Sequence, residues 1–329
     1  MSTILEKADM FAENARVIRK DFAMQSNATK LMAALLYTQA EKAMDCAAIR
    51  QSYDLIKQNT GVFSVFRGDM TLCIAALLSL TPNPQSLFNE TLKVYDLLKR
   101  AKFWNSSFLA VAAYQIACAV IESEYENVVA RTRAFYDCMK ARHFFRTGED
   151  DYIFSAMLGL TDIEINSGAD RIEQLYEGLK REFWDKNSVQ TLAQVLVLGN
   201  SDLSVQNRLF NLRDALLRAK LRMDRSYTLP LLGVLALLPV SPDDVVHDIL
   251  EALSVLRTKK GFGLLSIGSQ GQLLYAASLV AGAYGKNARD GVLTAALSTG
   301  IANILIAQHA AMLAAISASA AASASSSSS

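Results

Sequence analysis

The sequence predicts an all-α fold of about seven helical hairpins, either an α-solenoid or a closed α/α toroid, finished by an apolar C-terminal helix. Three observations carry that expectation. Only 5 prolines interrupt 329 residues rich in alanine and leucine, so long stretches contain no helix breaker. The phrase YDLLK at Tyr95 has close relatives in YDLIK at Tyr53, YDCMK at Tyr136 and YEGLK at Tyr176. Amphipathic segments alternate with segments apolar nearly all round, such as TLCIAALLSL from Thr71 and LPLLGVLALL from Leu229, which must be covered on most sides.

With the tyrosine as anchor, equivalent positions fall at Ala15, Tyr53, Tyr95, Tyr136, Tyr176, Arg213 and Leu253. A period of about 40 residues suits helical-pair repeats, in which one unit cannot bury its apolar face without its neighbours. Three residues beyond each anchor stands an apolar residue, from Ile18 and Ile56 through Leu98 and Met139 to Leu256, which marks a core column. Asp54, Asp96, Asp137 and Glu177 follow their anchors directly, and Lys57, Lys99, Lys140 and Lys180 come three residues later. Acid and base at that spacing are expected to pair along the helix, worth about 0.2 to 0.5 kcal/mol each.

Each first helix runs into a turn with an apolar residue, in order Phe22, Phe63, Phe103, Phe144, Phe183, Leu221 and Phe262. Second helices then start on capping signals: a capping-box spacing in TGED from Thr147 to Asp150, and polar caps around Asn105 and Asn187. Asn83-Pro84 and Ser241-Pro242 open two later first helices with proline at the first helical position. Beyond Gly291 no charged residue occurs, and Leu293, Leu297, Ile301, Leu305, Met312 and Ile316 recur at helical spacing. That pattern predicts a last helix packed on the inner layer. Residues 1–316 are expected to form one helical-repeat domain and 317–329 a disordered Ala/Ser tail.

The composition, 51% apolar and 20% charged, is that of a well-cored protein, and the formal net charge of +1 supplies no overall field toward a polyanion. Neither nucleic acid nor a membrane is therefore expected as partner. The N-terminal residues are charged throughout and carry no secretory pattern, which points to a cytoplasmic protein. Cys46, Cys73, Cys118 and Cys138 are far apart and are expected to be buried free thiols.

Phosphate-loop, zinc-protease and nucleophile-elbow motifs are absent, so no cofactor or metal is expected. His247, with Asp244, Asp248 and Glu251 on one helical face, has the spacing of metal ligands, but Asp243 and Asp244 are already explained as first-turn acids. The repeat is interrupted by longer turns in units two and seven, GVFSVFRGD from Gly61 and KKGFGLLSIGSQGQ from Lys259. Glycines, hydroxyls and basic residues there suit an anionic group or a peptide carboxylate, and nominate Arg67, Asp69, Lys259, Lys260, Ser269 and Gln270 as partner-binding residues. The competing reading has Arg67 capping a nearby carbonyl.

In an open solenoid those two turns lie about 40 to 50 Å apart, at helix steps of about 8 to 10 Å; in a toroid they share one mouth with Glu149, Asp150 and Asp151. The first arrangement suits a non-enzymatic scaffold for a protein or peptide. The second allows an enzyme or small-ligand binder.

The segments GVFSVFRG and KGFGLLSIGSQGQLLYAASLVA, and the tail IAQHAAMLAAISASAAASASSSSS, resemble a bacterial family, domain of unknown function 4003. The resemblance runs from about Phe11 to the closing serines. It implies a bacterial cytoplasmic protein and brings no activity and no site residue.

Overall fold

The computed structural model describes residues 3–68, 70–142, 147–199, 205–287 and 306–307. Their elements are helices, fourteen of them α-helices, joined by turns of which three contain a short 3-10 segment. Seven form an outer layer: α1 (Ile4–Asp21), α3 (Cys46–Asn59), α5 (Pro84–Arg100), α7 (Tyr125–Arg142), α9 (Ile165–Leu179), α11 (Val205–Arg218) and α13 (Pro242–Thr258). Each is followed by its inner partner: α2 (Asn27–Gln39), α4 (Thr71–Ser79), α6 (Ser107–Ala119), α8 (Asp151–Gly159), α10 (Lys186–Leu198), α12 (Leu229–Leu237) and α14 (Leu264–Asn287).

Outer helices bury one stripe, as α5 does with Phe88, Thr91, Val94 and Leu98. Inner helices are buried on most sides away from their ends, and α8 throughout: every residue from Asp151 to Gly159 is inside. Helix starts follow the sequence in several places. Thr3 and Glu6 form a reciprocal capping box on α1, and Asn83 and Ser241 cap helices whose first residue is proline. The TGED segment behaves differently: Asp151, the residue after it, turns its carboxylate back onto the Gly148 amide at 2.9 Å, and no side chain caps α8.

Contacts between units explain the repeated tyrosine. The turn phenylalanine of one unit packs against the anchor of the next: Phe22 on Tyr53 (ring centroids 6.4 Å apart), Phe66 on Tyr95 (5.1 Å) and Phe103 on Tyr136 (5.4 Å). Three of the anchor tyrosines carry the lysine four residues on, with Lys57, Lys140 and Lys180 over the rings of Tyr53, Tyr136 and Tyr176. The expected acid–base ladder is only partly formed. Glu177 pairs with Lys180, whereas Asp137 takes Arg133 one turn back and Asp214 takes its neighbour Arg213.

The same packing continues from the last unit to the first. Phe262 meets Phe11 at 5.2 Å, and Lys259 pairs with Asp9 at 2.6 Å. Arg19 donates to the carbonyls of Lys260 and Gly261 at 2.9 and 3.1 Å while lying over the Phe262 ring. In the inner layer α14 packs on α2 as well as on α12. Of the two arrangements compatible with the repeat, the chain therefore takes the closed toroid. Gly261 suits this seam: its φ is +85°, and a Cβ would stand 2.5 Å from the Arg19 guanidinium, which would have to move to make room.

In unit two the inserted residues change which phenylalanine serves as anchor. Phe66, on a 3-10 turn from Val65 to Arg67, is buried, whereas Phe63 is fully exposed at 102%. Of the cysteines only Cys73 is fully buried, and all four are free. By composition α14 is apolar and long enough to cross a bilayer, yet it breaks at Gly268 (φ 67°) and serves as the seventh inner helix. The expected last helix lies outside the described residues except for Ile306 and Ala307, which are helical and buried in the core.

Candidate functional site

Because every hairpin has the same sense, all seven outer-to-inner turns gather at one end of the toroid, here called the turn rim. Arg67, Lys259, Lys260, Ser269 and Gln270 all lie on it, with the first unit's turn between the Arg67 and Lys259 turns. Asp69 and Phe144 lie outside the described residues. Arg67 donates to the carbonyls of Lys57 and Thr60 and, at 3.2 Å, to the Thr60 hydroxyl, so its guanidinium closes the end of α3. Lys259 is held by Asp9. Gln270 bridges to unit six, accepting from the Thr228 hydroxyl at 3.3 Å and donating to the Arg222 carbonyl at 3.0 Å. Lys260 and Ser269 are exposed. The structure thus brings these residues to one end, employs Lys259 and Gln270 in joining units and uses Arg67 to close α3.

Two features of that rim follow from local sequence rules. Each unit contributes at least two basic side chains, from Arg19 and Lys20 in the first to Arg257, Lys259 and Lys260 in the last, because lysine and arginine are concentrated in the last turn of the outer helices and just beyond. The opposite rim carries acids, among them Glu41, Asp45, Glu122, Glu124, Asp162, Glu164, Asp243 and Asp244. A net charge of +1 therefore conceals two ends of opposite sign.

Large apolar side chains also point outward from the turn rim. Met24, Val62, Phe63, Trp104, Trp184, Leu264 and Leu265 are all exposed, from the turns of units one, two, three, five and seven. Elsewhere among the described residues such side chains, Leu5, Ile121, Leu217 and Leu250, stand singly. The rim positions arise by alternation: Phe103 and Phe183 turn inward as anchors, so the tryptophan immediately after each faces solvent. That pairing, FW in KFWN and again in EFWD, is a signal the sequence reading passed over. Lys99, Lys102, Phe103, Trp104 and Asn105 border a hollow of about 450 Å³ open to solvent.

Behind the rim sits a buried carboxyl. Asp151, 4% exposed, accepts from Gly148 N, from Gln190 Nε2 at 3.1 Å and from Gln194 Nε2 at 2.6 Å. Burial raises its pKa to about 7, with the neighbouring Asp150 charge adding to the rise and the three donors opposing it. Gln190 also donates to Thr147 Oγ1 at 3.3 Å. Glu149 and Asp150 are exposed at the rim, but Asp151 is sealed beneath it, so the acids do not form one presented cluster. On the outer face of α13, His247, Asp248 and Glu251 place one ligand atom each within 4.8 Å of one another. Asp248 is engaged there by the Tyr284 hydroxyl at 2.6 Å, and His247 lies 3.6 Å from Glu251.

Neither the curated proteins nor the solved structures contain a match to the chain. A family described as protein of unknown function (DUF4003) matches residues 14–310, from within α1 to beyond α14. The chain belongs to that family.

Proposed function

We propose that the protein is a non-enzymatic docking module whose working surface is the turn rim. One observation carries this reading: basic side chains from all seven units and exposed apolar side chains from five converge on the same end, while the other end is acidic. Exposed apolar surface rimmed by charge is what association sites present. Repeat folds commonly use turns carried on a rigid frame in this way. Arg67 and Gln270 contribute by fixing the turns, and Lys99, Lys102 and Trp104 by contact.

A second reading, a small-ligand binder or enzyme, draws support from Asp151, whose carboxyl titrates near neutrality as an acid–base group would. All its described partners are structural donors, and it lies beneath the rim, which favours the docking reading.

The test compares three forms of the protein as bait in a cell lysate: native, Lys99→Glu with Lys102→Glu and Trp104→Ala, and the opposite-rim pair Glu122→Lys with Glu124→Lys. The expected outcome is bound material shared by the native and opposite-rim forms, released by salt, and lost with the turn-rim form. Equal recovery by all three would remove the turn rim from consideration.

A further inference from the structure

The shape of the rim narrows its partner further, and this step rests on the docking reading above. Met24, Phe63, Trp104, Trp184 and Leu265 are not neighbours in a groove; each projects from a different turn of a closed ring. Tips carried by separate turns at one end of a toroid are spread round a ring rather than gathered in one cleft. A protein partner would need a separate socket for each tip, whereas an interface between lipid headgroups and acyl chains receives all of them at once. The residue types agree, since tryptophan, phenylalanine and leucine beside lysine and arginine make up the membrane-contacting face of peripheral proteins.

Charge fixes the orientation. Lys102 stands beside Trp104, Arg181 near Trp184, and Lys260 before Leu264 and Leu265, so three of the five tips carry a cation nearby in sequence, although Glu182 and Asp185 also adjoin Trp184. The acidic opposite rim is repelled by the same surface. The hollow bordered by Lys99, Lys102, Trp104 and Asn105 offers two ammonium groups and an amide to a phosphate. We propose that the turn rim docks, tips inward, on an anionic phospholipid surface.

The chain carries its own reporter, because both of its 2 tryptophans, Trp104 and Trp184, are on this rim, with Trp184 94% exposed. Full-length protein is mixed with vesicles of phosphatidylcholine alone or of phosphatidylcholine with phosphatidylserine, and read by co-sedimentation and tryptophan emission. Binding only to the phosphatidylserine vesicles, with emission shifted to the blue, is expected. Each of Lys99→Ala and Lys102→Ala should lower the partition coefficient roughly fivefold, the equivalent of about 1 kcal/mol per basic residue at an anionic surface. Phe63→Ala with Leu265→Ala should abolish the residual binding seen at high salt. Glu122→Gln should leave binding unchanged.

The control ligands are polyglutamate and a single-stranded oligonucleotide. Failure to sediment with either vesicle, together with salt-sensitive binding of one of these that Lys99→Ala weakens, would overturn the membrane assignment and leave the docking rim standing. No binding to vesicle, peptide or oligonucleotide would overturn the membrane assignment, and the lysate comparison above then decides the docking reading.

Discussion

At the scale of single residues, Arg19 and Asp151 show how much one side chain can decide. The Arg19 guanidinium satisfies two carbonyls of the last turn, covers Phe262 and reaches Asn27, and burial lowers its pKa. Removing it takes the donor from two seam carbonyls, one of them part-buried, and uncovers Phe262, so Arg19→Ala should destabilise the protein by about 2 kcal/mol in urea titration, and lysine should not restore the loss. Asp151 has the opposite sign of effect. With a native pKa raised to about 7, it holds its proton in the folded state across a range where the unfolded chain has lost it. Its stabilising share is complete below about pH 4, the unfolded value, and is lost as pH rises through 7. The thermal midpoint should therefore fall from pH 5 to pH 8, and Asp151→Asn should flatten that dependence. A variant retaining the native slope would assign the pH response elsewhere. Composition could not foresee this carboxyl's burial, because the amides that surround it come from α10, some 40 residues downstream.

The repeating element has a simple mechanical description: a turn phenylalanine seated on the next unit's anchor. Phe103 meets both Tyr136 and Tyr152 and lies under Arg133, so Phe103→Ala should cost about 3 to 5 kcal/mol. Phe63, aligned with it by sequence spacing, is exposed, and Phe63→Ala should change stability by less than about 0.5 kcal/mol, whereas Phe66→Ala should resemble Phe103→Ala. Comparable urea midpoints for the Phe63 and Phe66 variants would contradict the assignment. The period, the apolar column and the two helix types were legible because they depend on residues close in sequence. The partners of the tyrosines were not, since they sit one repeat away and an insertion of a few residues in unit two moves the anchor from Phe63 to Phe66. The acid and base columns misled for a related reason: Asp137 had Arg133 within the same reach, and Lys140 had an aromatic face. For the candidate site, Arg67, Lys259 and Gln270 drew notice through their glycine-rich turns, yet Arg67 closes α3 and the other two join units. The tryptophans became meaningful only when all turns were placed at one end.

For the whole molecule, closure changes how stability is distributed. An open array frays at its ends, but here α1 and α14 each have neighbours on both sides. Amide hydrogen exchange in α1 should therefore be as slow as in α7, and deletion of residues 1–45 should yield a chain that fails to give a cooperative unfolding transition. A deletion variant that melts cooperatively, or rapid exchange confined to α1, would argue that the first unit is peripheral. Separation of charge between the ends likewise belongs to the molecule rather than to any residue, and net charge alone hides it. Closure also restricts how this architecture can change over time. A linear array grows or shrinks one repeat at a time, each step nearly neutral for the rest. Here loss or duplication of one hairpin would alter the curvature required of all the others and break the fit of Gly261 against Arg19. Family members are then expected to share the hairpin number and to vary in turn length, as units two and seven already do.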